Sequence, residues 1–143
     1  MTTRIDVRLD AEDGDRDAVL APLRAFNIAA AGAIDYTKIA LLIKNSAGET
    51  SGGLYGYIAF DWLFVELFFV PEELRGQKLG ARLLAQAETL ARAHRCVGVW
   101  LDTFSFQAPG FYRKQGYEMF GTIADYPRGH QRHFFRKTLT PAG

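Results

Sequence analysis

The apolar positions change period several times along the chain, and each change marks an element. Ile5, Val7 and Leu9 alternate with Arg4, Asp6 and Arg8, which predicts a half-buried strand over Arg4–Leu9. The acidic run Asp10–Asp17 suits a helix entry, because carboxylates favour the positive end of a helix. Val19, Leu20, Leu23, Phe26 and Ala30 then recur at helical spacing, and Gly32 ends the run. Lys38–Lys44 is a short apolar strand, Asn45-Ser46-Ala47-Gly48 has turn chemistry, and Gly52–Phe60 is the returning strand. After Asp61, Trp62–Val70 completes an antiparallel meander. From Lys78 the pattern is helical, with Leu79, Leu83, Leu84, Ala87, Leu90 and Ala91 on one stripe and Arg82, Gln86 and Glu88 off it. Val97–Leu101 reads as a buried strand and Pro109–Gln115 as a short helix stopped by Gly116. Tyr117–Ile123 and His133–Leu139 are the last strands, joined through Pro127-Arg128-Gly129. The order β-α-β-β-β-α-β-α-β-β predicts an α/β (α+β) fold with helices set against one mixed sheet.

Composition narrows the class. A chain of 143 residues is the size of one domain, expected to cover 1–143, and can bury roughly 70% of its unfolded surface. Lys and Arg total 17 against 16 Asp and Glu, a net charge of +1, which argues against nucleic acid as a main partner. The local exception is Arg128, Arg132, Arg136 and Lys137 near the C-terminus. Cys96 is the single cysteine, so no internal disulfide forms, as expected of a reducing compartment. Met1–Asp6 carries no apolar signal core, and the longest apolar stretch, Trp62–Pro71, is interrupted by Glu66 and far short of the ~20 residues of a membrane helix. The chain reads as a soluble cytoplasmic protein with no membrane partner.

The chemistry gathers at Arg75-Gly76-Gln77-Lys78-Leu79-Gly80-Ala81, which follows a strand and opens a helix. The first turn of a helix has unpaired N–H groups and the positive end of the dipole, and glycines let an anion approach the backbone. Such a start suits a phosphate or pyrophosphate. It lacks both the G-x-x-x-x-G-K-[ST] and the G-x-G-x-x-G patterns, so on its own it is equally a plain helix start. Cys96, with His94 near it, is read as a packing residue where helix runs into strand. His130 and His133 are spaced like metal ligands but lack a second donor pair, so no metal site is expected.

The flanks of the loop add to it. Val65-Glu66-Leu67-Phe68-Phe69-Val70-Pro71-Glu72 lies upstream, and Ala108-Pro109-Gly110-Phe111-Tyr112-Arg113-Lys114-Gln115-Gly116-Tyr117 lies downstream. With the loop between them, the chain resembles the GNAT superfamily of N-acetyltransferases, and its tail resembles a bacterial branch of it. Two positions depart from the family pattern. Lys78 replaces the middle glycine of R-G-x-G-h-G, and Ser105 stands where the family often has Asn. A lysine can still supply the N–H that the loop needs, provided its backbone there is helical and not left-handed.

The resemblance implies a GNAT-like sheet, mostly antiparallel, with helices on both faces. It implies acetyl-CoA as co-substrate, with Phe68-Phe69-Val70 pairing to pantetheine as an added strand, Arg75–Ala81 (Arg75, Gly76, Gln77, Lys78, Leu79, Gly80 and Ala81) on the pyrophosphate, and Ser105 on pantetheine or water. An N–H near Phe68 or Phe69 would hold the oxyanion. Glu66 is the expected base. Inside an apolar run a carboxylate is desolvated unless paired, and desolvation makes a carboxylate a better proton acceptor. Tyr112 is the expected acid for the departing thiolate, against the alternative of a core tyrosine. The acceptor is a small-molecule or peptide amine, with Asn27, Tyr36, Trp62, Asp125 and His130 in segments that could rim its site. A homodimer follows from family habit alone. The alternatives are a non-catalytic acyl-CoA-binding module, suggested by Lys78 and Ser105, and a binder of another phosphate ligand.

Overall fold

The structure is a computed structural model and describes residues 2–140. It divides into two compact units, Met1–Ile34 and Asp35–Gly143, which are described separately. In the first unit, helix α1 spans Asp13–Ala31. The Asp15 carboxylate accepts the Glu12 N–H at 3.0 Å and so closes its first turn, and the Gly32 N–H caps the other end on the Ile28 carbonyl. The expected strand at Arg4–Leu9 does not form, and Ile5, Val7 and Leu9 are exposed. Alternation specifies which side of a strand is apolar, but a strand also needs a partner for its backbone, and none is paired to this segment. Likewise Val19, Leu23 and Phe26 are exposed and α1 buries no residue: among the described residues the unit holds one helix and no second element to close a core on.

The second unit is a six-stranded sheet in the order β1-β2-β3-β4-β6-β5. Its strands are β1 (Thr37–Lys44), β2 (Thr50–Ala59), β3 (Trp62–Phe69), β4 (Gly98–Phe104), β5 (Glu118–Ala124) and β6 (Gln131–Thr138). Every neighbouring pair is antiparallel except β3 and β4. Helix α2 (Leu79–Ala93) makes the crossover between those two, and the short α3 (Pro109–Lys114) follows β4. Leu54, Ile58, Leu63, Val65, Val99, Leu101 and Phe135 from the sheet bury against Leu84, Ala87 and Ala91 of α2 and Tyr112 of α3. Both helices of this unit therefore share one face of the sheet. The other face carries Tyr57, Phe64 and Trp100 in aromatic contact, with the last two stacked at 4.2 Å. Among the described residues no helix is long and apolar enough to cross a membrane.

One residue off the predicted apolar stripe is nevertheless buried. Glu88 on α2 accepts from the Tyr117 hydroxyl at 3.0 Å and from Lys137 Nζ at 2.8 Å, and Lys137 also donates to the Gln115 carbonyl. Helical spacing alone could not reveal it, because its partners come from 29 and 49 residues away. Burial and the neighbouring carboxylate push the Tyr117 phenol up.

The close approach of β2 to β3 depends on Gly56. A Cβ there would sit 2.2 Å from the Phe64 carbonyl oxygen, a backbone atom that cannot swing aside. Gly56→Ala is expected to destabilise the fold by about 2–3 kcal/mol, read as a drop in the urea midpoint; an unchanged midpoint would show that the strands can part without cost.

Candidate functional site

The ladder between β3 and β4 runs from Trp62↔Gly98 to Val65↔Leu101 and stops there, although both strands continue. The cause is a bulge. Against β2, Gly56 pairs with Val65 and Tyr55 pairs with Leu67, so Glu66 is the extra residue. A bulge bends its strand and increases its twist. β3 follows β2 on to Phe69 while β4 stays with β6 on to Phe104, so a gap opens between two parallel strands. Beyond Val65, the backbone groups of β3 that point away from β2 have no strand partner. They can therefore receive an extended ligand or a developing oxyanion. Phe68 and Phe69 lie on this free edge, and Val70 ends it.

Glu66 sits at the mouth of the gap and is exposed, in contrast to the expected apolar surround. The bulge explains the difference, since it turns the residue out of the strand's alternation. Its charge falls on Tyr57, whose phenol is pushed up by burial first, then by Tyr36 and Glu66. Asp102 is the residue after the last rung on the β4 side. It was not singled out in the sequence because the apolar run there ends at Leu101. Arg132 grips it with both carboxylate oxygens, at 2.9 and 2.8 Å, from 30 residues away. The signal available was a lone acidic residue continuing an apolar strand.

Tyr112 comes from α3 and is buried against Phe68, Phe111, Tyr117 and Phe135. Its phenol is pushed up to about 12 by burial and then by Asp102. The hydroxyl makes no hydrogen bond among the described residues. Phe111 and Phe68 also meet Gly80 in the first turn of α2: a Cβ at Gly80 would lie 3.1 Å from the Phe111 ring. The helix start, the end of β3 and α3 are thus joined by one aromatic cluster.

The loop itself is bent by two left-handed residues, Gly76 (φ +90°) and Lys78 (φ +58°, ψ +20°). The helical backbone required of Lys78 is therefore absent, and lysine sits in a region that ordinarily favours glycine. Leu79, Gly80 and Ala81 in the first turn of α2 have N–H groups with no intrahelical acceptor, and the Arg82 N–H is the first to find one, on the Lys78 carbonyl at 3.1 Å. Together these make a concave set of donors at the positive end of a fifteen-residue helix. Arg75 is pinned away from it, donating from Nε to the Val70 carbonyl at 3.1 Å. The donor set fits a pyrophosphate.

The remaining predicted residues scatter. The Ser105 hydroxyl accepts the Gln131 N–H at 3.0 Å and so ties β4 to β6. Trp62 covers Gly98 at the closed end of the ladder, roughly 13 Å of strand from Glu66. Tyr36 stacks on Tyr57 at 5.1 Å. Asp125 accepts the Gly129 N–H in the β5–β6 turn, and His130 meets the Phe106 ring edge-on. Asn27 belongs to α1, in the first unit. Cys96 is buried, and no group of metal-binding side chains occurs among the described residues.

Comparison with known proteins matches the acetyltransferase (GNAT) domain family over residues 38–119. A blasticidin-S acetyltransferase of Streptomyces morookaense is 38% identical over 92% of this chain and 96% of its own length. A crystal structure from Agrobacterium tumefaciens, assigned as an acetyltransferase, superposes with a TM-score of 0.90 at 32% identity, covering 96% of this chain and 100% of that one. An acetyltransferase from Bacillus cereus superposes at 0.81 with 31% identity, over 94% and 98% of the two chains.

A non-glycine residue in the left-handed region costs about 1–2 kcal/mol. Lys78→Gly is therefore expected to raise stability by about 1 kcal/mol in urea unfolding. A loss of stability in Lys78→Gly would contradict the strain.

Proposed function

This chain belongs to the GNAT acetyltransferase family, and from that premise we propose that it moves an acetyl group from acetyl-CoA directly onto a primary amine of a small molecule, within a ternary complex. The observation that carries this reading is the gap at Glu66, with the donor-lined start of α2 and Tyr112 both packed on Phe68 at its edge. The pyrophosphate of acetyl-CoA lies on the amides of Gly76–Ala81, with Arg75 holding the loop to β3. Pantetheine runs along the free edge at Phe68-Phe69-Val70. Ser105 closes the far wall through its bond to Gln131. We take residues 1–143 as one acetyltransferase domain, working in the cytoplasm. Identity to an enzyme named for an antibiotic supports an antibiotic-like amine as acceptor over a peptide.

The steps follow from the residues. Glu66 takes a proton from the acceptor ammonium, directly or through water, which frees the nitrogen lone pair. The amine attacks the thioester carbonyl carbon, a C–N bond forms, and the oxygen develops negative charge against an unpaired N–H on the open edge of β3. The C–S bond then breaks, the sulfur leaves with the electron pair as a thiolate, and the nitrogen's surplus proton passes to solvent. Tyr112, pushed up to about 12, is fully protonated at neutral pH and can donate to the departing sulfur. An ordinary thiol titrates near 8.5, so complete transfer of the phenol proton to a thiolate is uphill by some three pK units. Tyr112 acts as a hydrogen-bond donor to the sulfur, and solvent completes the protonation. The left-handed backbone at Lys78 does not meet the condition set for its N–H, so the pyrophosphate reading rests on the free amides of Leu79, Gly80 and Ala81.

Thiol release from acetyl-CoA over a panel of amines tests this. Glu66→Gln is expected to lower kcat/KM about 100-fold or more, and Tyr112→Phe to lower kcat roughly 10- to 100-fold. Because the folded phenol is raised, its acid form persists until the pH nears 12, so an alkaline limb below about pH 10 arises elsewhere and survives in Tyr112→Phe. Unchanged activity in both variants would remove the two roles.

A further inference from the structure

Two residues beyond Asp102 on β4, on the sheet face away from α2, the side chains form an exposed aromatic tier. Phe104 and Phe106 lie nearly parallel, 5.2 Å apart and 6° between planes. Tyr126 leans on Phe104 at 5.7 Å, and His130 meets Phe106 edge-on at 5.0 Å. Phe106 is 58% exposed and Tyr126 41%, and neither belongs to the core cluster. Phe106 lies outside the core, yet its ring is stacked on Phe104 and met by His130.

Arg132 holds the rings beside it, Phe104 and Tyr126. Its guanidinium grips Asp102 bidentately and donates to the Tyr126 hydroxyl at 2.7 Å. The same group lies 5.5, 4.8 and 5.5 Å from the ring centroids of Phe104, Tyr126 and Phe134. The turn carrying Phe106 is closed by Gln107, whose side-chain oxygen accepts from the Phe104 N–H and the Thr103 hydroxyl. Rings fixed in this way lose little freedom on binding, which is how preorganised sites gain affinity.

We propose that this tier is the acceptor-recognition surface, and that the acceptor carries a flat conjugated ring that stacks on the open face of Phe106. This rests on the acetyl-transfer reading of the neighbouring gap and names the acceptor class for it. Asp102 links the two, being both the first β4 residue past the last rung and the anchor of Arg132. A ring on Phe106 with its amine pointing back along β4 therefore lies toward Glu66. Offset stacking of aromatic pairs favours a flat ring over a saturated one of equal size by roughly five-fold. The adenine of CoA is the other flat ring available. It is tethered to a pyrophosphate at the start of α2, whereas this tier lies on the opposite face of the sheet.

Saturation-transfer NMR with benzylamine and cyclohexylmethylamine separates these cases, run on the full chain with and without saturating CoA. The expected result is strong transfer to the benzylamine ring with CoA present, weaker by about five-fold for cyclohexylmethylamine, and equally weak for both in Phe106→Leu. Because Phe106 is exposed, Phe106→Leu keeps its fold, which the amide spectrum checks. Equal signals for the two amines, or an unchanged preference in Phe106→Leu, overturn the proposal. Displacement of the ring by CoA assigns the tier to adenine and also overturns it. Ring binding with no thiol release from any amine would instead leave this surface intact and refute the acetyl-transfer reading.

Discussion

The site depends on one backbone constraint, the extra residue at Glu66. An antiparallel pair can absorb one unmatched residue only by bending, and β3 bends away from β4 because β2 keeps its grip on both sides of the bulge. Gly56 makes that grip possible, since any side chain there would collide with the Phe64 carbonyl. The parallel ladder then fails after Val65↔Leu101, and the failure creates the free strand edge and the mouth with a carboxylate on either side. Had Glu66 been matched by a rung, the sheet would be continuous and there would be no site.

The same economy of backbone governs the loop. A helix start offers donors to an anion only if the chain arrives without covering them, and two left-handed residues give the turn that does this. Glycine is the easy solution, and Gly76 uses it. Lys78 reaches the same geometry against its own preference, so a charged side chain stands beside the donors. At this position the backbone conformation shapes the turn, and the residue type decides how much strain accompanies it.

Much of the fold was legible because burial on one face of a sheet leaves a periodic trace. The meander of β1–β3, the stripe of α2 and the stop at Gly116 all follow from it. What periodicity could not supply was partnership. Arg4–Leu9 alternates as a strand does and pairs with nothing, while β4 runs on through Asp102 and Phe104 past the point where its apolar run ends. In the site, the loop and both flanking segments were visible as motifs, and Glu66 stood out as a charge in an apolar run. Its exposure was not visible, because a bulge depends on how two strands register and leaves no mark on either alone. Asp102 and Arg132 escaped for the same reason, as each acquires meaning only when β4 and β6 are laid side by side.

Long-range pairing also explains how the separate parts of the site keep their spacing. α2 carries the anion donors and α3 carries Tyr112, and only loops and β4 connect them in sequence. Glu88 ties α2 to Tyr117 just after α3, and Lys137 joins the Gln115 carbonyl to the same carboxylate. Breaking one partner of a buried pair leaves the other charge uncompensated, so this contact has little freedom to slide. At the other end, Phe68 and Phe111 close on Gly80. A polar tie at the C-terminal side of α2 and an aromatic one at its N-terminus fix the helix at two points. The start of α2 and the ring of Tyr112 are then held by one set of contacts.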